Sequence, residues 1–204
     1  MSLVIVVEGD TDLPVVRKLA SDAGLPISAE IDCQGKGKLD RDLPGYNSAA
    51  RGSPWFVLRD LDQDAPCAPT FLAGTAVRAS PWMCFRLAVR EVESWLLADT
   101  RAMARFLRVD EHRLPRDPDS EPDPTRTLVN LARQSRSPGI RKALVPRPGT
   151  STVVGPLYEA KLIEFGHRHW RLEQAVTRSR SLEKSRDALR ALAKRWNHHQ
   201  TGKR

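Results

Sequence analysis

The sequence predicts an α/β fold: a mostly parallel sheet flanked by helices, followed by a helical C-terminal part. Three observations carry that expectation. Short β-branched or apolar runs stand at 3–8, 27–33, 54–60 and 81–89, segments of helical length separate them, and no strand of comparable quality follows residue 110. Apolar runs without polar alternation are buried on both faces, as in parallel sheets, and strands spaced by helix-length segments build βαβ units.

The first run, "LVIVVE" (3–8), is followed by Gly9 and the helix-start signals Thr11, Asp12 and Pro14. "LPVVRKLASDAG" then carries apolar residues at helical spacing to a stop at Gly24. "ISAEIDC" is the second strand, "QGKGKLD" a loop, and "RDLPGYNSAARG" the centre of a weakly patterned helix. "PWFVLRD" is the third strand, followed by a loop containing Pro66 and Pro69 and then by "PWMCFRLAV" as the fourth. "EVESWLLADTRAMARFL" (91–107), with no internal Gly or Pro, reads as a helix. The polar, Pro-rich link "PRDPDSEPDP" (115–124) marks a boundary between a domain at 1–110 and a helical region at 125–196. That region holds helix candidates at "TRTLVNLARQSR", "VGPLYEAKLIEFGHRHW" and "SRSLEKSRDALRALAKRW", and a basic tail at 197–204 reads as disordered.

With 204 residues, 40% apolar and 28% charged, the chain has the composition of a globular protein rather than a disordered one. Its 33 Lys and Arg against 25 Asp and Glu leave +8, which suits a polyanionic partner such as nucleic acid or is simply a solvated basic surface. Cys33, Cys67 and Cys84 lie far apart with no Cys-x-x-Cys pair, so neither a disulfide framework nor a zinc site is indicated. "MSLVIVV" is too short for a signal peptide's apolar core, and no run approaches the ~20 apolar residues that span a bilayer. The expectation is a soluble cytoplasmic protein without a membrane partner.

The chemistry concentrates where the first and third strands stop. Glu8 closes the first, and "WFVLRDLDQD" ends in Asp60, Asp62 and Asp64. Ligands of open parallel sheets gather beyond the carboxyl ends of the strands. Acids crowded there raise one another's pKa unless a cation lies among them, and an all-oxygen set suits Mg²⁺ or Mn²⁺. "REVESW" adds Glu91 and Glu93; residues two apart on a helix point to nearly opposite faces, so both reach one ion only if the helix starts between them. Glu91 is the preferred ligand and Glu93 its alternative, with acids of a helix's first turn as the structural reading of both.

"VVEGDTD" followed by "VLRDLDQD" resembles the Toprim signature of topoisomerases, bacterial primases, OLD (overcoming lysogenisation defect) nucleases and small RNA-maturation nucleases. A resemblance over most of the chain, through "GKGKL", "LRDLDQD", "RLAVREVESWLLAD", "DPTRTLVNLAR", "VGPLYEAKLIEF" and "SLEKSRDALRAL", is to a family of uncharacterised bacterial Toprim-like proteins, some linked to abortive-infection phage defence beside an ATPase partner. That resemblance implies a Toprim-like domain in which Glu8 is the acid/base or first metal ligand, Asp60 and Asp62 hold Mg²⁺, and Asp64 is a weaker ligand or supporting acid. It further implies a second-metal role for an acid past the Asp-x-Asp. The family usually has Lys where Thr125 stands, so a phosphate contact there is not carried over.

For the scissile phosphate the sequence offers Lys36 and Lys38 in a Gly-punctuated loop, and Arg59, Arg86 and Arg90 beside the acids; the lysines also read as loop solubilisers and the arginines as ion-pair partners. A basic C-terminal helix, from Arg178 to Arg195, contacts nucleic acid, a partner or solvent. The reading that results is a metal-dependent nuclease acting on DNA or RNA, with catalytic Glu8, Asp60 and Asp62, to which the resemblance adds a role as a phage-defence effector. Its rivals are a non-catalytic nucleic-acid-binding or regulatory subunit of an ATPase complex, and a phosphotransferase, which would need an aspartate where Glu8 stands.

Overall fold

The computed structural model describes residues 2–75 and 78–201. Four parallel strands, β1 (Leu3–Val7), β2 (Ile27–Asp32), β3 (Trp55–Asp60) and β4 (Met83–Ala88), lie in the order β2-β1-β3-β4. They are connected by α1 (Leu13–Asp22), α2 (Lys36–Ala49) and α3 (Ala68–Gly74). The crossover through β2 returns the chain to the other side of β1, so β3 pairs directly with β1, Val6 opposite Val57. This register sets the carboxyl ends of β1 and β3 side by side.

Successive side chains of these strands feed two cores. Leu3, Ile5, Val7, Phe56 and Leu58 join α1 in the larger one, and Val6 and Val57 meet Cys33, Leu39, Leu43 and Met83 under α2. Burial on both faces is why the strands read as unbroken apolar runs.

The remaining helices are α4 (Val92–Ala98), α5 (Thr100–Leu107), α6 (Pro124–Arg133), α7 (Pro138–Leu144), α8 (Tyr158–Arg168), α9 (Leu172–Ala175) and α10 (Arg180–Thr201). They extend the larger core: Trp95, Leu128, Phe165, Trp170 and Leu189 belong to the cluster that holds Ile5 and Val15. At the α1 and α8 contact a Cβ on Gly166 would stand 2.8 Å from Pro14 Cβ, closer than side-chain carbons approach, so glycine sets the spacing of these helices.

Several boundaries differ from the sequence expectation. The helix expected over 91–107 is two helices, broken at Asp99 (φ −81°, ψ 68°). Asp99 is buried, and its carboxylate accepts the Ala102 amide (3.3 Å), which caps α5, together with the Arg171 amide (2.9 Å), Nε (2.9 Å) and Nη2 (2.6 Å). Tertiary capping overrides a composition that would continue the helix. In "QGKGKLD" the loop ends at Gly35, whose φ of 122° suits glycine, and Lys36 already opens α2. The Pro-rich loop contains α3, and α7 and α9 are too short to show helical periodicity in sequence.

A one-turn helix at Glu111–Arg113 precedes the polar link, which contains another at Pro118–Ser120; Asp119 in the second accepts Ser179 Oγ (2.7 Å) and the Ser181 amide (2.8 Å), tying the link to the start of α10. The expected disorder from Asn197 is replaced by helix to Thr201, with the His199 ring 5.0 Å from that of Trp82; 202–204 lie outside the described residues. No helix among the described residues is long and apolar enough to cross a membrane.

Because Asp99 caps α5 and anchors Arg171 ahead of α9, Asp99→Ala is expected to cost about 2–4 kcal/mol, the loss of a cap plus a charged hydrogen-bond pair. In a chain of this size that lowers the melting temperature by roughly 5–15 °C, which differential scanning calorimetry measures directly.

Candidate functional site

A cleft of about 570 Å³ opens at the carboxyl ends of β1, β2 and β3, bounded also by α4, α6 and α8. Nine carboxylates line it (Glu8, Asp10, Asp12, Asp32, Asp60, Asp62, Glu91, Glu93 and Glu159), with no lysine or arginine among the lining residues. All of the sequence-expected acids except Asp64 stand here.

The floor is fixed by the sheet. Glu8 follows β1, and its Oε2 accepts the backbone amide of Asp60 at 3.3 Å, so the first and third strands meet through this carboxylate. Asp60 Oδ1 accepts the Val92 amide at 3.0 Å, where α4 begins. Asp62 has left-handed backbone (φ 47°), a conformation Asp tolerates better than most residues, and its amide donates to Arg90 O at 2.9 Å. α4 starts between Glu91 and Glu93: Glu91 is extended (φ −134°) and Val92 is the first helical residue. Both glutamates therefore line the same cleft. Glu91 Oε2 accepts the amide (3.0 Å) and hydroxyl (2.8 Å) of Thr125, and Glu93 Oε1 faces the Tyr158 hydroxyl at 3.4 Å.

Electrostatically the cleft is dominated by its acids, with Lys36 and Arg59 acting on them only from outside its lining. Burial first, then neighbouring Asp12, Glu93, Glu8 and Asp62, push the Asp60 carboxyl well above the usual range. Glu93 is pushed up to about 8 by burial and then by Glu91. Asp12 is pushed up to about 7 by burial, the Gly9 amide opposing and Glu8 adding to the rise. Glu8 and Glu91 are raised as well, chiefly by burial, against the lowering effect of the Asp60 amide and of Thr125 respectively.

Asp12 was expected only to start α1, yet its side chain does not cap that helix. It is buried and accepts the Gly9 amide (3.1 Å), turning back toward Glu8. Its signal in the sequence is the fifth place of Glu-Gly-x-x-Asp. Thr125, Tyr158 and Glu159 reach the cleft from the C-terminal helices and carry no short-range signal.

The expected phosphate contacts lie elsewhere. Arg59 is buried: Nε and Nη2 grip Asp40 (2.7 and 2.8 Å), Nη2 also meets Asp64 (2.7 Å), Nη1 donates to Asp60 O, and the guanidinium lies 4.5 Å from the Phe71 ring centre. Arg90 spends its donors on the carbonyls of Asp62 (2.9 Å), Ala65 (2.8 Å) and Pro66 (3.2 Å), shaping the loop after β3. Both are structural in this arrangement. Lys36 Nζ reaches Asp62 Oδ2 (2.6 Å) and both oxygens of Asp64 (3.2 Å), and Lys38 is exposed on α2. Asp64, held below the usual carboxylate range by Arg59 first and by Lys36, points away from the cleft.

The donor set is all oxygen and suits Mg²⁺ or Mn²⁺. Among the described residues, no group of three or more carboxylates is spaced to hold an ion as the side chains stand. Fold and site together define an acidic cleft at the carboxyl edge of a parallel α/β sheet. No protein-family model matches the chain, and no curated protein or solved structure matches it.

Between about pH 4, where unfolded carboxylates lose their protons, and about pH 8, the folded chain without metal holds more protons than the unfolded one. Its stability is therefore expected to fall as pH rises through that window, and the gain in melting temperature on adding Mg²⁺ to grow with pH. Asp60→Asn keeps an acceptor for the Val92 amide and removes a buried group that is costly to ionise, so at pH 8 without metal it is expected to melt about 2–4 °C above wild type, the shift that ~1 kcal/mol produces in a chain of this size. Scanning fluorimetry over pH, with EDTA or Mg²⁺, checks both; a metal-free stability that climbs toward pH 8 would contradict them.

Proposed function

We propose that the chain is a Toprim-like, divalent-metal-dependent nuclease that hydrolyses phosphodiester bonds of DNA or RNA. The observation that supports this best is the meeting of Glu8 with Asp60, and of both with Asp62, at one sheet edge in a cleft that contains no basic residue. Glu8, Asp60 and Asp62 would hold a Mg²⁺ or Mn²⁺, with Glu91 and Glu93 available toward a second. Such an ion, when bound, neutralises phosphodiester charge and lowers the pKa of its water.

The protein's own share is positioning and proton transfer. Asp60 is pinned by the Val92 amide, and Glu91 by Thr125, which keeps both from collapsing onto their neighbours. Glu8, held by the Asp60 amide at the end of β1, would accept a proton as the general base. Lys36 approaches Asp62 from outside the cleft and holds its carboxylate in place.

Cys33, Cys67 and Cys84 are all unpaired, which fits the reducing cytoplasm, the compartment we assign. A role as a phage-defence effector beside an ATPase partner rests on the family resemblance described above.

Purified protein with Mg²⁺ or Mn²⁺ is expected to cleave at least one of plasmid, single-stranded DNA and RNA, and to lose that activity in EDTA. Glu8→Gln, Asp60→Asn and Asp62→Asn are each expected to lower the rate by at least about a thousandfold, as loss of a ligand or base does. In a regulatory subunit with a structural ion, Glu8→Gln would leave function intact, and cleavage unaffected by chelator would remove the metal from the mechanism.

A further inference from the structure

A second cavity, about 630 Å³, adjoins the acidic cleft and shares Asp62, Glu91 and Thr125 with it. It runs along the exposed face of α6. The cleft side of that helix is fixed by the bonds from Thr125 to Glu91, so Arg126 stands at the mouth of the acidic site. Arg133 lies seven residues on, two turns along the same face and about 10 Å farther from the cleft by the ~1.5 Å rise of a helix. Asn130 sits between them, its Oδ1 3.4 Å from Arg133 Nη1. Both arginines are exposed, and neither is ion-paired among the described residues, unlike Arg59 and Arg90, whose donors are spent internally.

Away from α6 the lining is apolar in part. Pro146 and Val153 belong to it, and Val153 is 77% exposed, the most exposed large apolar residue among the described residues. Two open cations and uncovered apolar surface in one groove match a chain that is anionic along its backbone and flat and apolar at its bases. An acidic peptide would meet the same arginines but would then run into nine carboxylates at the shared end. A phosphodiester strand has a reason to continue there, because its phosphate is the partner of the cations the cleft demands.

We propose that this groove carries a single strand of nucleic acid into the acidic cleft, Arg126 and Arg133 holding two of its phosphates and Pro146 and Val153 facing its bases. The proposal rests on the nuclease reading for the chemistry at the end of the groove, but the strand's binding does not depend on turnover. Arg126 and Arg133 are positioning residues.

The test uses the full chain carrying Glu8→Gln, with Mg²⁺, and the fluorescence anisotropy of labelled single strands of about 12 nucleotides, the scale of a single-strand site. Arg126→Glu with Arg133→Glu is expected to weaken binding at least about tenfold and to reduce the salt dependence by about two phosphate contacts. Arg51→Glu with Arg101→Glu makes the same change in net charge on exposed residues outside both cavities, and is expected to stay within about twofold. Where charge reversal lowers the melting temperature, Arg126→Gln with Arg133→Gln repeats the measurement. Equal losses in the two charge-reversed pairs, no strand binding in the parent, or a dependence on these arginines for duplex only, each overturns the groove. Wild-type cleavage that Glu8→Gln abolishes, with both pairs binding alike, rejects the groove and leaves the nuclease reading standing. No cleavage of any substrate, with binding lost only in the Arg126 and Arg133 pair, supports the groove and rejects the nuclease reading.

Discussion

Repulsion among carboxylates that the backbone does not allow to separate is the constraint on which the rest of this structure turns. The β2-β1-β3-β4 order makes β1 and β3 neighbours, and their ends deliver Glu8, Asp60 and Asp62 to one place whatever the side chains prefer. The protein meets the repulsion partly with neutral donors: the amides of Gly9, Asp60 and Val92, and the hydroxyls of Thr125 and Tyr158. It meets it partly from outside, where Lys36 reaches Asp62. These contacts position the acids, but burial first and the neighbouring carboxylates second still hold the protons of the buried ones above the usual range.

The positive side chains near the site serve a different purpose. Arg59 and Arg90 stiffen the turn after β3, one through Asp40 and Asp64 and the other through three carbonyls. A rigid turn matters because Asp62 sits in left-handed backbone and would otherwise be free to swing out of the cleft. Neither arginine lines the cleft itself, so its carboxylates are left without a fixed cation among them.

Much of this was legible in the sequence, and the pattern of what was not is physical. The strands could be read because each is buried on both faces and so carries an unbroken apolar run, and the acids because they interrupt those runs abruptly. Glu8, Asp60, Asp62, Glu91 and Glu93 could be named from that alone. The start of α4 between the two glutamates could be posed only as a condition, since it depends on where one amide finds Asp60. The break at Asp99 was hidden because the local composition favours helix, and only Arg171, 72 positions away, supplies the reason to stop. Arg59 looked like a phosphate ligand because charge beside an acidic motif reads the same whether it faces solvent or, as here, packs under Phe71. Tyr158 was invisible as a site residue, and Thr125 stood out only as a departure from the family's Lys, for the same reason: their role is set by the folding of α6 and α8 onto the sheet.

That last dependence has a consequence for how the molecule comes into being. The residues that brace Glu91 and Glu93 come from α6 and α8, and the spacing that seats α8 is fixed by Gly166 against Pro14. A ribosome that has extruded only the sheet has therefore made the acids but not the walls that hold them. The cleft matures only after α6 and α8 have emerged and packed onto a sheet made well before them.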